Sequence, residues 1–156
     1  MSEKINKIST LFSKATGQEL NMNTYDHRLM LQKLVYIVQE AGIKFGYSYN
    51  WYVKGPYCTE LTRDSFEFFN HSQKIHKTTL TESENKLIES FKKYFKSDLK
   101  NDEKLELLGS LVFIIKDWEI KNKEEIIEKL ISLKPWYEKK EIEEMLEKIQ
   151  KSKLFN

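Results

Sequence analysis

The hydrophobic and polar positions along the chain predict a series of amphipathic helices. Between residues 24 and 42 the apolar positions recur at helical spacing, with Thr24 as the predicted N-cap and Gly42 as the predicted end. The apolar side chains of this helix are Leu31, Leu34, Val35, Val38 and Ala41. The opposite stripe is expected to face solvent or a binding partner, and it contains Arg28, Gln32, Lys33, Tyr36 and Glu40.

The second half of the chain is predicted to be helical almost throughout. Thr81 and Glu84 have capping-box spacing, and the helix that follows them has apolar positions up to residue 95. Residues 103–118 are apolar almost all round, which is typical of the central helix of a domain. Asn122 and residues 142–149 mark two further helices, so residues 102–151 form a predicted three-helix C-terminal unit.

One segment alternates with the period of a strand. Residues 47–53 place every second side chain on one face, namely Tyr47, Tyr49, Trp51 and Val53. Because a single strand leaves its backbone groups unpaired, it needs a partner, and residues 74–80 are the best candidate. Gly55 is predicted to end the strand, and Pro56 is predicted to lie near the first position of the next helix.

These elements predict a mainly α fold with a minor β part. We expect a compact helical domain of six to seven helices with a small two-stranded β element. The length of 156 residues and the hydrophobic content of 40% predict a single domain over residues 1–156. Residues 1–20, which include a helix over residues 3–15, are predicted to be an N-terminal helical extension.

Composition narrows the classes of function. The net charge of +2 is too small to indicate a general nucleic-acid binder. The single cysteine, Cys58, excludes an intrachain disulfide framework and fits a reducing compartment. The N-terminus has no apolar run of signal-peptide length, and no run approaches the roughly 20 residues that span a bilayer. We therefore expect a cytoplasmic protein that is not associated with a membrane.

No arrangement of residues in the sequence predicts catalysis. Cys58, His71 and His76 fit no zinc spacing, so neither a metal nor another cofactor is expected. An enzyme built on a Cys58–His pair is an alternative, because a helix N-terminus lowers the pKa of a thiol. However, the helical phase places Cys58 with Leu61, which favours a small buried residue. The chain is therefore predicted not to be an enzyme.

Two kinds of contact surface stay open at this point. Tyr36, Tyr52 and Tyr57 fall on polar or junction positions, which favours contacts with a protein partner or with a second copy of the chain in a homodimer. Basic residues on neighbouring elements are alternative contacts to nucleic-acid phosphates, and they are Arg28, Lys33, Lys54 and Arg63.

The segments LMLQKLVYIVQ and NWYVKGPYCTEL resemble the helix–strand–helix signature of the SocA-like, or Panacea, domain family. The matching positions are Leu31, Gln32, Lys33, Leu34, Tyr36, Gly55, Pro56, Glu60 and Leu61. The Gly-Pro-Tyr-x-x-Glu-Leu form is most similar to the uncharacterised YwgA-like proteins of bacteria and archaea, and the resemblance extends over most of residues 25–150. Val53 and Lys54 precede Gly55 here, where many Panacea members have a tyrosine.

This resemblance implies a predominantly helical, non-enzymatic regulatory protein that binds another protein in the manner of an antitoxin or an adaptor. The residues expected to bind that partner are Gln32, Lys33, Tyr36, Tyr52, Lys54, Gly55, Pro56 and Tyr57. A winged-helix-like DNA-binding transcriptional regulator is the alternative.

Overall fold

A computed structural model of the chain describes residues 2–71 and 77–156. In these two ranges the fold is mainly α with a minor β part, as the sequence predicts. The seven helices are α1 (Ser2–Thr16), α2 (Tyr25–Glu40), α3 (Thr59–Asn70), α4 (Glu82–Phe95), α5 (Asp102–Lys116), α6 (Lys123–Leu133) and α7 (Lys139–Ser152). A single 3₁₀ turn covers Asp98–Lys100, and the two strands are β1 (Asn50–Tyr52) and β2 (Gly55–Tyr57).

The helix α5 lies at the centre of the domain. All ten of its residues from Leu105 to Ile114 are buried, which agrees with its apolar character on every side. It packs against α2 and β2 and also contacts α6 and α7. Gly109 lies against the side chain of Lys33, where a Cβ atom would come within 3.6 Å of the lysine Cβ. The backbone of α5 at Gly109 therefore packs directly on the side chain of Lys33, and an added methyl group would make ordinary van der Waals contact there.

Polar side chains fix where several helices begin. The Thr24 hydroxyl accepts the His27 backbone N–H at the start of α2. Thr81 and Glu84 form the predicted capping box at the start of α4, because each side chain accepts the backbone N–H of the other residue. Asn122 caps α6 by accepting the Glu125 N–H. These helix starts are confirmed because they depend on neighbouring residues alone.

The two strands form an antiparallel hairpin, and this corrects the predicted pairing. Trp51 lies opposite Pro56, with pairs Asn50–Tyr57 and Tyr52–Gly55 on either side. The expected partner over residues 74–80 is wrong: residues 77–80 have no regular structure, and residues 74–76 lie outside the described ranges. Pro56 therefore belongs to β2, and α3 begins three residues later with Cys58 as its N-cap.

The turn of the hairpin explains why the predicted strand is too long. Val53 and Lys54 form the turn, and Gly55 has a φ of +90°, a conformation that favours glycine. Because the chain reverses at Val53, the alternation that buries Tyr47 and half-buries Trp51 stops there, and Val53 is exposed.

The hydrophobic core includes residues from both ends of the chain. Ile5, Ile8, Leu11 and Phe12 of α1 are buried in the same cluster as the apolar residues of α5 and α7. Phe155, beyond the end of α7, packs its ring 5.9 Å from that of Phe91 in α4. Residues of the predicted N-terminal extension are thus part of the core.

We predict that Gly55→Ala lowers the free energy of unfolding by about 2–4 kcal/mol. The alanine would have to adopt a left-handed backbone conformation, and its methyl group would overlap with a side chain of α5. A Cβ atom at this position would lie 2.7 Å from the Ser110 hydroxyl oxygen on α5. Gly46→Ala is the matched control, since Gly46 also has a positive φ of +81° but has open space around it. Urea denaturation measures both variants, and an equal loss in the two would show that the hairpin does not press on α5.

Candidate functional site

The polar stripe of α2 lies inside the protein. Gln32, Lys33 and Tyr36 are each at most 2% exposed, and every residue from Met30 to Val38 is buried. The expectation that this stripe faces solvent or a partner is therefore wrong for these three residues. The helix is covered on that side because the hairpin, α3 and α5 all pack against it.

Gln32 forms hydrogen bonds to the backbone that follows β2. Its Oε1 accepts the Cys58 N–H at 2.8 Å, and its Nε2 donates to the Cys58 carbonyl at 3.0 Å. The same Nε2 donates to the Thr62 hydroxyl at 2.7 Å. Gln39, two turns further along α2, pairs in the same way with the N–H and carbonyl of Tyr47, both at 3.0 Å. Each side-chain amide thus pairs with the N–H and the carbonyl of one residue, as the backbone of a neighbouring strand does in a sheet.

Lys33 supplies a further bond to β2. Its Nζ donates to the Pro56 carbonyl at 2.6 Å. Pro56 has no N–H, so this residue of β2 offers only its carbonyl to a hydrogen-bond partner. Because α2 packs against β2, that carbonyl accepts its hydrogen bond from a lysine of α2.

A second buried lysine holds the turn of the hairpin. Lys134, just after α6, donates from Nζ to the Val53 carbonyl at 3.2 Å and pairs with Glu106 at 3.4 Å. Its Nζ also lies 5.4 Å from the ring centroids of both Trp51 and Trp136. The lysine therefore connects the hairpin to Glu106 of the central helix.

Glu106 is the carboxylate shared by this buried group. It accepts the Tyr137 hydroxyl at 3.1 Å in addition to its ion pair with Lys134. Its charge opposes the effect of burial on the pKa of Lys33, whereas Lys134 and Lys54 lower that pKa further. Burial is the largest cause and lowers the pKa of Lys33 to about 7. Burial likewise lowers the pKa of Lys134, and Glu106 again acts in the opposite direction.

The outer side of the hairpin forms an exposed aromatic and aliphatic surface. Val53 is 85% exposed, Trp136 61% and Tyr52 46%, and Lys54 is exposed beside them in the turn. The half-buried Tyr57 packs its ring edge-on to Tyr52 at 5.3 Å. We call these five residues, Tyr52, Val53, Lys54, Tyr57 and Trp136, the hairpin surface.

The residues predicted to bind a partner thus separate into two layers. Tyr52, Lys54 and Tyr57 lie on the hairpin surface. The other five form the buried support beneath it or beside it, and they are Gln32, Lys33, Tyr36, Gly55 and Pro56. Tyr36 belongs to this support through its hydroxyl, which donates to Asp117 after α5 at 2.8 Å.

Sequence reasoning missed two members of the hairpin surface. The alternation of residues 47–53 puts Val53 on the same face as Tyr47 and Trp51, because it predicts a strand that continues through residue 53. Trp136 follows Pro135 directly after α6, where Lys134 ends the helix. No signal in the sequence separates Trp136 from Tyr137, the neighbouring aromatic residue of the same connection, which is buried.

The four basic residues considered for nucleic-acid binding do not form one exposed group. Lys33 is enclosed, and the Arg28 guanidinium donates to the Met22 carbonyl at 2.9 Å. Lys54 and Arg63 are exposed. A phosphate-binding surface would therefore lack Lys33, the residue at the centre of the predicted set.

Cys58 is buried, as its helical phase predicts. His71 follows α3, and His76 lies outside the described ranges. Within residues 2–71 and 77–156, no group of three or more histidine, cysteine, aspartate or glutamate side chains is placed to hold a metal ion. None of the helices in that part of the chain is both long and apolar enough to cross a membrane.

No protein-family model, curated protein or solved structure matches the chain. The geometry of the chain and the motifs of its sequence are therefore the basis for proposing what it does.

We predict that Gln32→Leu lowers the free energy of unfolding by about 2–4 kcal/mol, because the N–H and carbonyl of Cys58 lose their partner in a buried place. Gln150→Leu, on the exposed side of α7, is the control and is expected to change stability by less than about 0.5 kcal/mol. Urea denaturation compares the two. A loss at Gln32 no greater than that at Gln150 would contradict the role given to the buried amide.

Raising the pH from 7 to 9 is expected to increase the free energy of unfolding by about 2 kcal/mol. The folded protein holds the pKa of Lys33 near 7, and the ordinary lysine value is 10.5. Between pH 7 and 9 the unfolded chain therefore binds more protons than the folded protein does. Proton binding favours unfolding less as the pH rises, so the free energy of unfolding increases. Urea denaturation at pH 7, 8 and 9 measures the change.

Two variants isolate the contribution of Lys33 to this pH dependence. Lys33→Met removes the titrating group and is expected to abolish most of the increase. Lys86→Met removes an exposed lysine of α4 that does not act on the pKa of Lys33, and it is expected to retain the increase. The same pH dependence in Lys33→Met as in the unmodified protein would exclude Lys33 as its source.

Proposed function

We propose that this protein is a non-enzymatic regulatory module that binds a protein partner through the hairpin surface, in an antitoxin-like or adaptor-like manner. The observation that carries the proposal is the 85% exposure of Val53 at the tip of a hairpin, with exposed Tyr52 and Trp136 beside it. Aromatic and aliphatic side chains of this kind supply much of the binding energy in protein interfaces. The resemblance to the SocA-like and YwgA-like proteins agrees with such a role.

The support beneath this surface also favours binding. Lys33, Gln32 and Lys134 hold the backbone of the hairpin and of the residue after it from the inside. A short two-stranded hairpin is only marginally stable by itself, so these buried bonds keep it in one conformation. A surface held in this way loses little conformational entropy when it binds.

Co-expression with the products of the genes that flank its own tests the proposal. We expect one of these products to form a stable complex with the protein, or to be neutralised by it in a growth assay. The double variant Tyr52→Ser with Val53→Asp is expected to weaken that complex at least about tenfold, since it removes two apolar contacts and adds a charge. Isothermal titration calorimetry measures the affinity.

Tyr25→Ser is the matched control, because Tyr25 is an exposed aromatic residue at the start of α2 and is 55% exposed. Its complex is expected to keep the affinity of the unmodified protein. The proposal fails if no flanking product binds or is neutralised, or if Tyr25→Ser weakens the complex as much as the hairpin variant does.

DNA binding has less support as a function. Lys33 is enclosed by the protein, and its ammonium is used by the Pro56 carbonyl. Lys54 remains exposed at the tip, but the residue before it is an exposed valine, which has no group that can hydrogen-bond to a phosphate or a base edge.

A further inference from the structure

We propose that the hairpin surface recognises an apolar protein segment that carries a carboxylate next to its apolar residues. This inference rests on the proposed function for its biological meaning, and it names the chemistry of the partner. It comes from two features of the same surface: an uncompensated positive charge, and exposed hydrocarbon and aromatic groups that lie directly beside it.

The charge arises from the way the hairpin is held. In the part of the chain that the structure describes, Lys33, Lys134 and Lys54 lie close enough to influence one another, and Glu106 is the carboxylate that acts on both buried lysines. Deprotonation of Lys33 leaves Lys134 and Lys54 opposite Glu106. The turn therefore keeps a positive charge even when Lys33 is neutral, and Lys54 presents that charge to solvent.

The apolar part of the surface is placed around this charge. Val53 lies next to Lys54 at the tip, and Tyr52 and Tyr57 stack edge-on along the hairpin. Trp136 approaches from the other side, with the ammonium of Lys134 near its ring and near that of Trp51. When a partner segment buries Val53, the partner side chains next to that contact come close to Lys54. A carboxylate at such a position in the partner forms an ion pair with Lys54 and strengthens binding.

The β2 side of the hairpin does not offer a free edge for an added strand. The Pro56 carbonyl on that side is bonded to Lys33, and the Val53 carbonyl in the turn is bonded to Lys134. Addition of a strand needs a row of unpaired backbone donors and acceptors along an edge. The proposed recognition therefore uses side chains at the tip and not the addition of a strand to β2.

The same observations favour a protein over a nucleic acid. Binding to nucleic acid depends on several phosphate contacts from exposed lysines and arginines. Among the five residues of the hairpin surface, Lys54 is the exposed cation, and the most exposed residue is the aliphatic Val53. Tyr52, Tyr57 and Trp136 offer rings for base stacking, but one exposed cation gives the phosphates few partners, whereas Val53 fills an apolar pocket in a protein.

Titration with defined probes tests this chemistry without a known partner. Two nine-residue peptides share a Leu-Phe-Leu centre and differ only in their flanks, which are three glutamates or three lysines on each side. A twelve-nucleotide single-stranded oligothymidine is the third probe. The methyl NMR signals of Val53 and the indole signal of Trp136 report binding. The dissociation constant of the glutamate peptide, taken from the shifts of both signals, is expected to be at least tenfold lower than that of the lysine peptide.

Charge reversal at Lys54 provides the specific control. Lys54→Glu is expected to weaken binding of the glutamate peptide at least fivefold. Lys86→Glu, on the exposed side of α4, makes the same change of net charge elsewhere and is expected to leave it unaltered. Thermal unfolding of both variants verifies that the fold is retained.

The outcomes separate this inference from the proposed function. Stronger binding of the lysine peptide or of the oligothymidine, no shift with the glutamate peptide, or equal loss in the two lysine variants would each overturn the inference. If the glutamate peptide binds as expected but no flanking gene product does, the surface chemistry holds and the proposed function fails. If a flanking product binds through the hairpin but the glutamate peptide does not, the proposed function holds and the inference fails.

Discussion

The buried backbone of the hairpin and of the segments on either side of it needs hydrogen-bond partners, and α2 supplies them from its side chains. A two-stranded sheet leaves one edge of each strand unpaired, and an unpaired buried carbonyl or N–H costs about 1–3 kcal/mol. Gln32 pairs with Cys58, Lys33 with Pro56 and Gln39 with Tyr47. The polar stripe of α2 is thus the reason that so short a hairpin lies against a helical domain.

This solution has an electrostatic consequence. A lysine reaches a carbonyl over a longer distance than an amide does, but its ammonium is expensive to bury. Glu106 offsets part of that cost, and the rest appears as the lowered pKa of Lys33. Tyr137 keeps Glu106 in place through its hydroxyl. The interior below the hairpin is therefore a polar group with more lysines than carboxylates, enclosed by an apolar core.

The arrangement gives the two faces of the hairpin different roles. The inner face is satisfied by α2 and by Lys134, which fixes its position on α5. The outer face exposes Tyr52 and Val53 to solvent, and Trp136 of the connection after α6 is exposed as well. The proposed function rests on the outer face, because a cluster of exposed apolar residues on a fixed support is typical of a protein-binding surface. The buried Lys134 contributes indirectly to this surface, because its positive charge adds to that of the exposed Lys54 nearby.

The sequence by itself determined the N-caps of α2, α4 and α6, because these depend on residues within one turn of each other. The apolar character of α5 on every side also indicated its central position. The start of α3, in contrast, was decided by the hairpin. The sequence also identified the segments around Gln32 and Gly55 as the distinctive part of the chain. Only the tertiary structure decided which side of α2 is covered, since the period of a helix marks its apolar face and cannot show what packs on the polar one. The tertiary structure also decided that β2 is the partner of β1. Gly55 reverses the chain and brings Pro56 to Trp51, so Val53 became a tip instead of a core residue.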